Sequence, residues 1–173
     1  MALVLKLVLV LAVVALALWL YAHWPRSALP AEARADRVLA LKAERRLRLY
    51  RGDALLREYS VALGFAPVGA KEREGDGKTP EGHYVIDYRN PNSRFYRSLH
   101  ISYPTASETL RAKARGVSPG GAIMIHGLRN GAGFWGRLHR WRDWTAGCIA
   151  VTDAEMAEIW RAVPDGTPIE IRP

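Results

Sequence analysis

Ala122-Ile123-Met124-Ile125-His126-Gly127 and Trp144-Thr145-Ala146-Gly147-Cys148-Ile149-Ala150-Val151 are the stretches from which the fold is read. Each holds a short apolar, β-branched run next to glycine, the pattern of a brief buried strand and too short for a helix. Working outward, residues 38–41, 47–50, 55–63, 84–86, 99–103 and 168–172 are further strand-like stretches. Arg51-Gly52-Asp53 reads as the turn between two of them, His83 as part of another turn, and Pro104 stops the fifth stretch. Within the domain, helical signals occur in two places only. Residues 106–115 follow Thr105 or Ser107 as cap and stop at Gly116, and Thr152-Asp153-Ala154-Glu155 is a capping box ahead of the stripe Met156, Ile159, Trp160 and Val163. Many short strands with two short helices predict a mainly β, sandwich- or barrel-like domain over residues 36–173.

The N-terminal segment is of another kind. Between Ala2 and Ala22 the only charge is Lys6. About 20 apolar residues suffice to cross a bilayer as a helix, so residues 1–24 read as a signal anchor or a signal peptide. Tyr21, His23 and Trp24, ahead of Pro25, have the composition of an interfacial belt. The first small-x-small pattern, Ala31-Glu32-Ala33, comes well past the apolar run and favours an uncleaved anchor. Lys6 argues for an inside N-terminus, and Arg26, Arg34, Arg37 and Lys42 argue the other way. A long following domain is translocated largely regardless of its charge, which places the domain outside the cytoplasm. Residues 25–35 read as a linker.

The whole chain of 173 residues has 25 basic and 17 acidic side chains, a formal net charge of +8. An apolar fraction of 49 % excludes wholesale disorder, and a single cysteine excludes an internal disulfide framework. The positive charge is scattered, and with the anchor it argues for anionic lipid or wall polymer nearby and against nucleic acid. No metal or cofactor is expected, because the five histidines have no zinc-site spacing.

The candidate chemistry lies in the two opening stretches. Cys148 follows a glycine at the start of a strand, where a side chain is both fixed and reachable, although a lone cysteine is also commonly a buried structural one. His126 ends its strand, which places it at the rim. Neighbouring strands would bring the two together as a thiolate–imidazolium pair, since a free thiol stays largely protonated at neutral pH. His139 is the rival base, with Arg137 and Arg140 on either side depressing its basicity. The intervening residues 128–144 hold Gly131, Gly133 and Gly136 with Phe134, Trp135, Trp141 and Trp144, and read as a mobile lid or a surface loop pinned by its rings.

Ile125-His126-Gly127 with Thr145-Ala146-Gly147-Cys148-Ile149 resembles the active-site signature of the L,D-transpeptidases, the YkuD-domain family. Gly75-Asp76-Gly77-Lys78-Thr79-Pro80-Glu81-Gly82 resembles that family's turn before a strand. The resemblance implies a cysteine acyltransferase acting on peptidoglycan stem peptides through a thioester. Cys148 would be the nucleophile and His126 the base and acid. The Gly127 carbonyl would orient the imidazole, and N–H groups around Gly147 and Cys148 would hold the oxyanion. His139, Arg140, Arg142, Trp144 and Thr145 are candidate substrate contacts, with Arg137 a further arginine for a carboxylate. The acyl acceptor stays open between an amine and water, which would make the enzyme a carboxypeptidase or amidase; a non-catalytic wall-binding module is the other alternative. Two departures bear on the donor peptide: Ala146 stands where the family usually has a second histidine, and Ala150 where it usually has Arg or Asn. The implied location is the cell envelope, anchored in the inner membrane.

Overall fold

The computed structural model describes residues 1–24 and 27–173. Pro25 and Arg26, part of the expected belt and linker, lie outside the described residues. Helix α1 (Ala2–His23) projects from the domain, with every residue but Ala22 exposed. By length and composition it is long and apolar enough to cross a membrane.

The domain is one eight-stranded mixed sheet. Its strands are β1 (Arg37–Leu41), β2 (Arg46–Arg51), β3 (Ala54–Ser60), β4 (Gly82–Asn90), β5 (Ser98–Ile101), β6 (Met124–His126), β7 (Ile149–Ala150) and β8 (Thr167–Arg172). Their order is β3-β2-β1-β8-β4-β5-β6-β7. Strand β8 joins the halves, parallel to β1 and antiparallel to β4, and β7 runs parallel to β6. Past the end of β3 the chain reaches the opposite edge. Ala62 and Ala150 exchange both backbone hydrogen bonds, at 3.0 and 2.8 Å, and Gly64 bridges to Thr145. These bridges cover the β7 edge at Ala150 and curl the sheet toward a half-barrel.

Alternation of buried and half-buried residues along β2 follows the sequence pattern. The inner faces contribute Leu47, Leu49, Ile86, Leu99, Ile101, Ile125, Ile149 and Ile169, all essentially without solvent contact. Helix α3 (Asp153–Ala162) lays Met156 and Ile159 onto this core, each side chain contributing about 1.5–3 kcal/mol by burial. It starts with the expected capping box; α2 (Ala106–Ala114) is capped by Thr105, the first of its two candidates, which forms a second box with Glu108, each cap contributing about 1 kcal/mol.

Three segments differ from the reading of the sequence. Strand β4 runs from Gly82 to Asn90, well beyond 84–86, and includes His83. Residues 133–141 form a 3-10 helix kinked at Gly136 in place of a loop. Residues 27–35 are a strap laid on the domain. Leu29 and Ala35 are buried in the core, and the Leu29 N–H donates to Glu158 Oε1 at 3.2 Å. Arg161 Nη2 donates to Leu29 O at 2.8 Å, and the Ala35 N–H to Ala162 O at 2.8 Å.

Candidate active site

The parallel register of β6 and β7 sets Ile125 beside Ile149 and His126 beside Ala150. One step back, Met124 is level with Cys148. Side chains alternate along a strand, so His126, Met124 and Cys148 share a face. There they line a cavity of about 420 Å³ with Phe95, Trp144 and Thr145, a volume within the usual range for a ligand site.

The turn carrying Cys148 is held from below. Gly147 has φ +137°, and a Cβ there would stand 2.6 Å from Lys78 O, so only glycine fits. Lys78 belongs to the Gly75–Gly82 block, which Asp76 organises. The Asp76 carboxylate accepts from the N–H groups of Glu72, Arg73 and Lys78 and from Lys71 Nζ at 2.7 Å. Burial works to raise its pKa, and these donors overcome that and hold it at about 2. From the other side, Thr145 Oγ1 donates to Cys148 O at 2.8 Å and accepts the Gly147 N–H at 3.1 Å. Thr145, expected as a substrate contact, is thus occupied in shaping the turn. The Gly147 N–H, expected at the oxyanion, is taken by that hydroxyl. The Cys148 N–H has no partner among the described residues.

His126 is 4 % exposed and lies between two rings, Phe95 at 4.6 Å and Trp144 at 5.8 Å between centroids. Its Nδ1 is 2.6 Å from Gly127 O. A carbonyl can only accept, so Nδ1 carries the proton and Nε2 is the basic nitrogen. Gly127 is enclosed in turn: a Cβ there would meet Asp153 Oδ1 at 2.7 Å and Tyr96 Cβ at 2.9 Å. The Asp153 carboxylate accepts the Leu128 N–H at 2.7 Å and fixes the chain just past the histidine.

The electrostatics bear on one expectation. Burial pushes the Cys148 thiol up, and a hydrogen bond from the Met124 backbone and the charge of Lys71 oppose this without reversing it. Burial pushes His126 down, against the hydrogen bond to Gly127. The thiol itself donates to Ala122 O at 3.6 Å. Burial thus works against the charged form of each group taken singly.

The remaining candidates are dispersed. His139 and Arg142 line a neighbouring cavity of about 540 Å³ on the far side of Trp144, with Trp135 and Trp141. His139 Nδ1 accepts from Trp144 Nε1 at 3.4 Å, and its pKa is pushed down to about 3. Burial is the main cause, ahead of the Arg140 charge and His126. Arg140 is turned away and pairs with Glu155 of α3. Ala150 is fully buried and bonded to Ala62, whereas Ala146 is exposed at the cavity.

Sequence reasoning missed the wall formed by residues 92–95. Phe95 covers His126, and Arg94, exposed at the cavity, makes no ion pair among the described residues. Asn130 pins this wall: its Oδ1 accepts the Tyr96 N–H at 2.8 Å, and its Nδ2 donates to Ser93 O at 3.1 Å. No local pattern marks these residues, because their partners are more than thirty positions away.

A family model described as the L,D-transpeptidase catalytic domain, YkuD, matches residues 35–171. The putative L,D-transpeptidase YafK of Escherichia coli K12 is 33 % identical over 129 residues, covering 70 % of this chain and 44 % of the relative. The chain thus spans less than half the length of that relative. The helical cell shape determining protein Pgp2 of Campylobacter jejuni, as its K307A mutant, has a similar structure. The TM-score is 0.60 at 26 % identity, over 82 % of this chain and 48 % of that one. An L,D-transpeptidase from Xylanimonas cellulosilytica shares the fold, with a TM-score of 0.51 at 17 % identity over 85 % of this chain and 65 % of that one.

Proposed function

The chain belongs to the YkuD family of L,D-transpeptidase catalytic domains, and on that premise we propose that it is a cysteine acyltransferase acting on peptidoglycan stem peptides. One observation carries the reading. The only thiol and a histidine whose Nδ1 is fixed by a carbonyl line the same cavity, on adjacent strands.

The reaction begins from the neutral pair. As Cys148 Sγ attacks the carbonyl carbon of the third stem residue, its proton passes to His126 Nε2. The Gly127 carbonyl stabilises the imidazolium that forms, in the way a carboxylate does in other triads. The Cys148 N–H is placed to receive the oxyanion, a contact worth about 3 kcal/mol. His126 then protonates the departing amine of the terminal D-amino acid, the C–N bond breaks, and a thioester to Cys148 remains. An amine, or water, then attacks the thioester carbonyl and gives its proton to His126 Nε2; the C–S bond breaks, the acyl group leaves on the acceptor, and His126 returns the proton to Cys148 Sγ. Arg94, which lines the cavity and makes no ion pair among the described residues, is the side chain we assign to a substrate carboxylate. With α1 as the anchor, the domain works on the outer side of the membrane.

Intact-mass analysis of the full chain mixed with purified muropeptides tests this. The expected result is a mass gain equal to the acyl part of the stem, absent in Cys148→Ala. Continued turnover by Cys148→Ala would refute the assignment.

A further inference from the structure

The domain is joined to α1 by more than the strap. Gly136, at the kink of the 3-10 helix Gly133–Trp141, lies against the end of α1, where a Cβ would stand 2.4 Å from Ala22 O. Arg137 Nη2 donates to Trp24 O at 2.5 Å. Ala22 is buried in this contact, although the rest of α1 is exposed. The strap then runs back along α3 and β3, where Arg57 bonds Ser27 O and Leu29 is buried. The 3-10 helix is therefore held at the level where the apolar helix ends.

Its outer surface is unusual for a face in water. Phe134, Trp135 and Trp141 are 66, 52 and 88 % exposed. Residues 128–142 include Arg129, Arg137, Arg140 and Arg142 and no Asp or Glu. Tryptophans with arginines and no carboxylates suit the headgroup layer, where rings sit at the apolar boundary and cations meet lipid phosphates.

We propose that the 3-10 helix is a second membrane contact, lying in the headgroup layer beside the end of α1 with Phe134, Trp135 and Trp141 inserted. This rests on reading α1 as a membrane anchor. Arg129 and Arg142, both exposed, flank the rings and meet lipid phosphates. Through the Trp144–His139 hydrogen bond, the same segment supports one wall of the Cys148 cavity and holds that wall at the bilayer surface.

Spin labels on the full chain test the proposal. In a Cys148→Ala background, Val10→Cys, Lys113→Cys and Trp141→Cys each receive one label. The proteins are reconstituted into phosphatidylethanolamine–phosphatidylglycerol vesicles. Relaxation by oxygen, which concentrates in lipid, is compared with relaxation by a water-soluble nickel chelate. The expected result is an oxygen-to-nickel ratio several-fold higher at 141 than at 113, with 10 higher still. A ratio at 141 equal to that at 113, with 10 in lipid, would overturn the proposal and leave the anchor standing. Low collision with both reagents at 141 would show cover by protein and overturn it also. A water-like ratio at 10 would overturn the anchor, and the proposal with it.

Discussion

Two histidines stand on either side of Trp144, and burial weakens both as bases, yet their surroundings differ in kind. His126 has Nδ1 tied to Gly127 O, and the thiol of Cys148 lies in its cavity. Among the described residues, His139 has Nδ1 tied to Trp144 Nε1, its buried Nε2 has no hydrogen bond, and no nucleophile lines its cavity. A depressed imidazole pKa therefore does not tell the two apart. The identity of the Nδ1 partner does, because a carbonyl fixes a tautomer with the Nε2 lone pair free, whereas an indole N–H takes up the one basic lone pair of a neutral imidazole, and on that ground we propose His126 as the base. Accordingly, His126→Ala is expected to lower kcat/KM for muropeptide turnover by about 10²–10⁴-fold, the usual span for a general acid–base group. An equal loss in His139→Ala would erase the distinction.

The next effect separates the imidazole from its support. Gly127→Ala puts a methyl group against the Asp153 carboxylate and Tyr96, so the carbonyl that holds Nδ1 must move. A displacement approaching 1 Å is expected to cost about 10²-fold in kcat with little change in the melting of α3. Retained kcat would mean that the carbonyl does not position His126. Arginines divide the two cavities in the same way. Arg94→Gln is expected to raise KM about tenfold for a stem peptide with a free carboxylate, and Arg142→Gln to leave it unchanged. Steady-state kinetics on both variants decides which cavity holds the peptide.

The smallest effect concerns stability. His139 has its folded pKa lowered to about 3 from an unfolded 6.5. The unfolded chain binds the proton first as pH falls, so the stabilisation is full above pH 6.5 and is lost as pH drops toward 3. Denaturant unfolding at pH 7 and pH 4.5 should show wild type losing up to about 1.4 kcal/mol per pH unit more than His139→Leu. Equal acid sensitivity in the two would place the protonation elsewhere.

The local parts of this molecule were legible in the sequence. The capping box at Thr152, one of the two cap candidates ahead of α2, the Arg51-Gly52-Asp53 turn and the runs around His126 and Cys148 lie where their residues indicate, since each is decided within a few positions. What could not be read depends on distant partners. The wall at Phe95 is set by Asn130, and the strap at Leu29 by Glu158 and Arg161. The 133–141 stretch, read as a loop, is a kinked 3-10 helix packed against the end of α1, a distant partner its own residues do not announce. The charge state of the pair could not be read for the same reason: spacing brings thiol and imidazole to one cavity, but burial acts on their charge, and burial is a property of the whole fold.

The neutral resting pair is tested most directly by the rate of Cys148 alkylation with iodoacetamide across pH in the full chain. The prediction is a single rise centred above the ordinary thiol range, with no fast plateau at neutral pH. A fast plateau persisting below pH 7 and vanishing in His126→Ala would reveal a preformed thiolate–imidazolium pair and contradict the account.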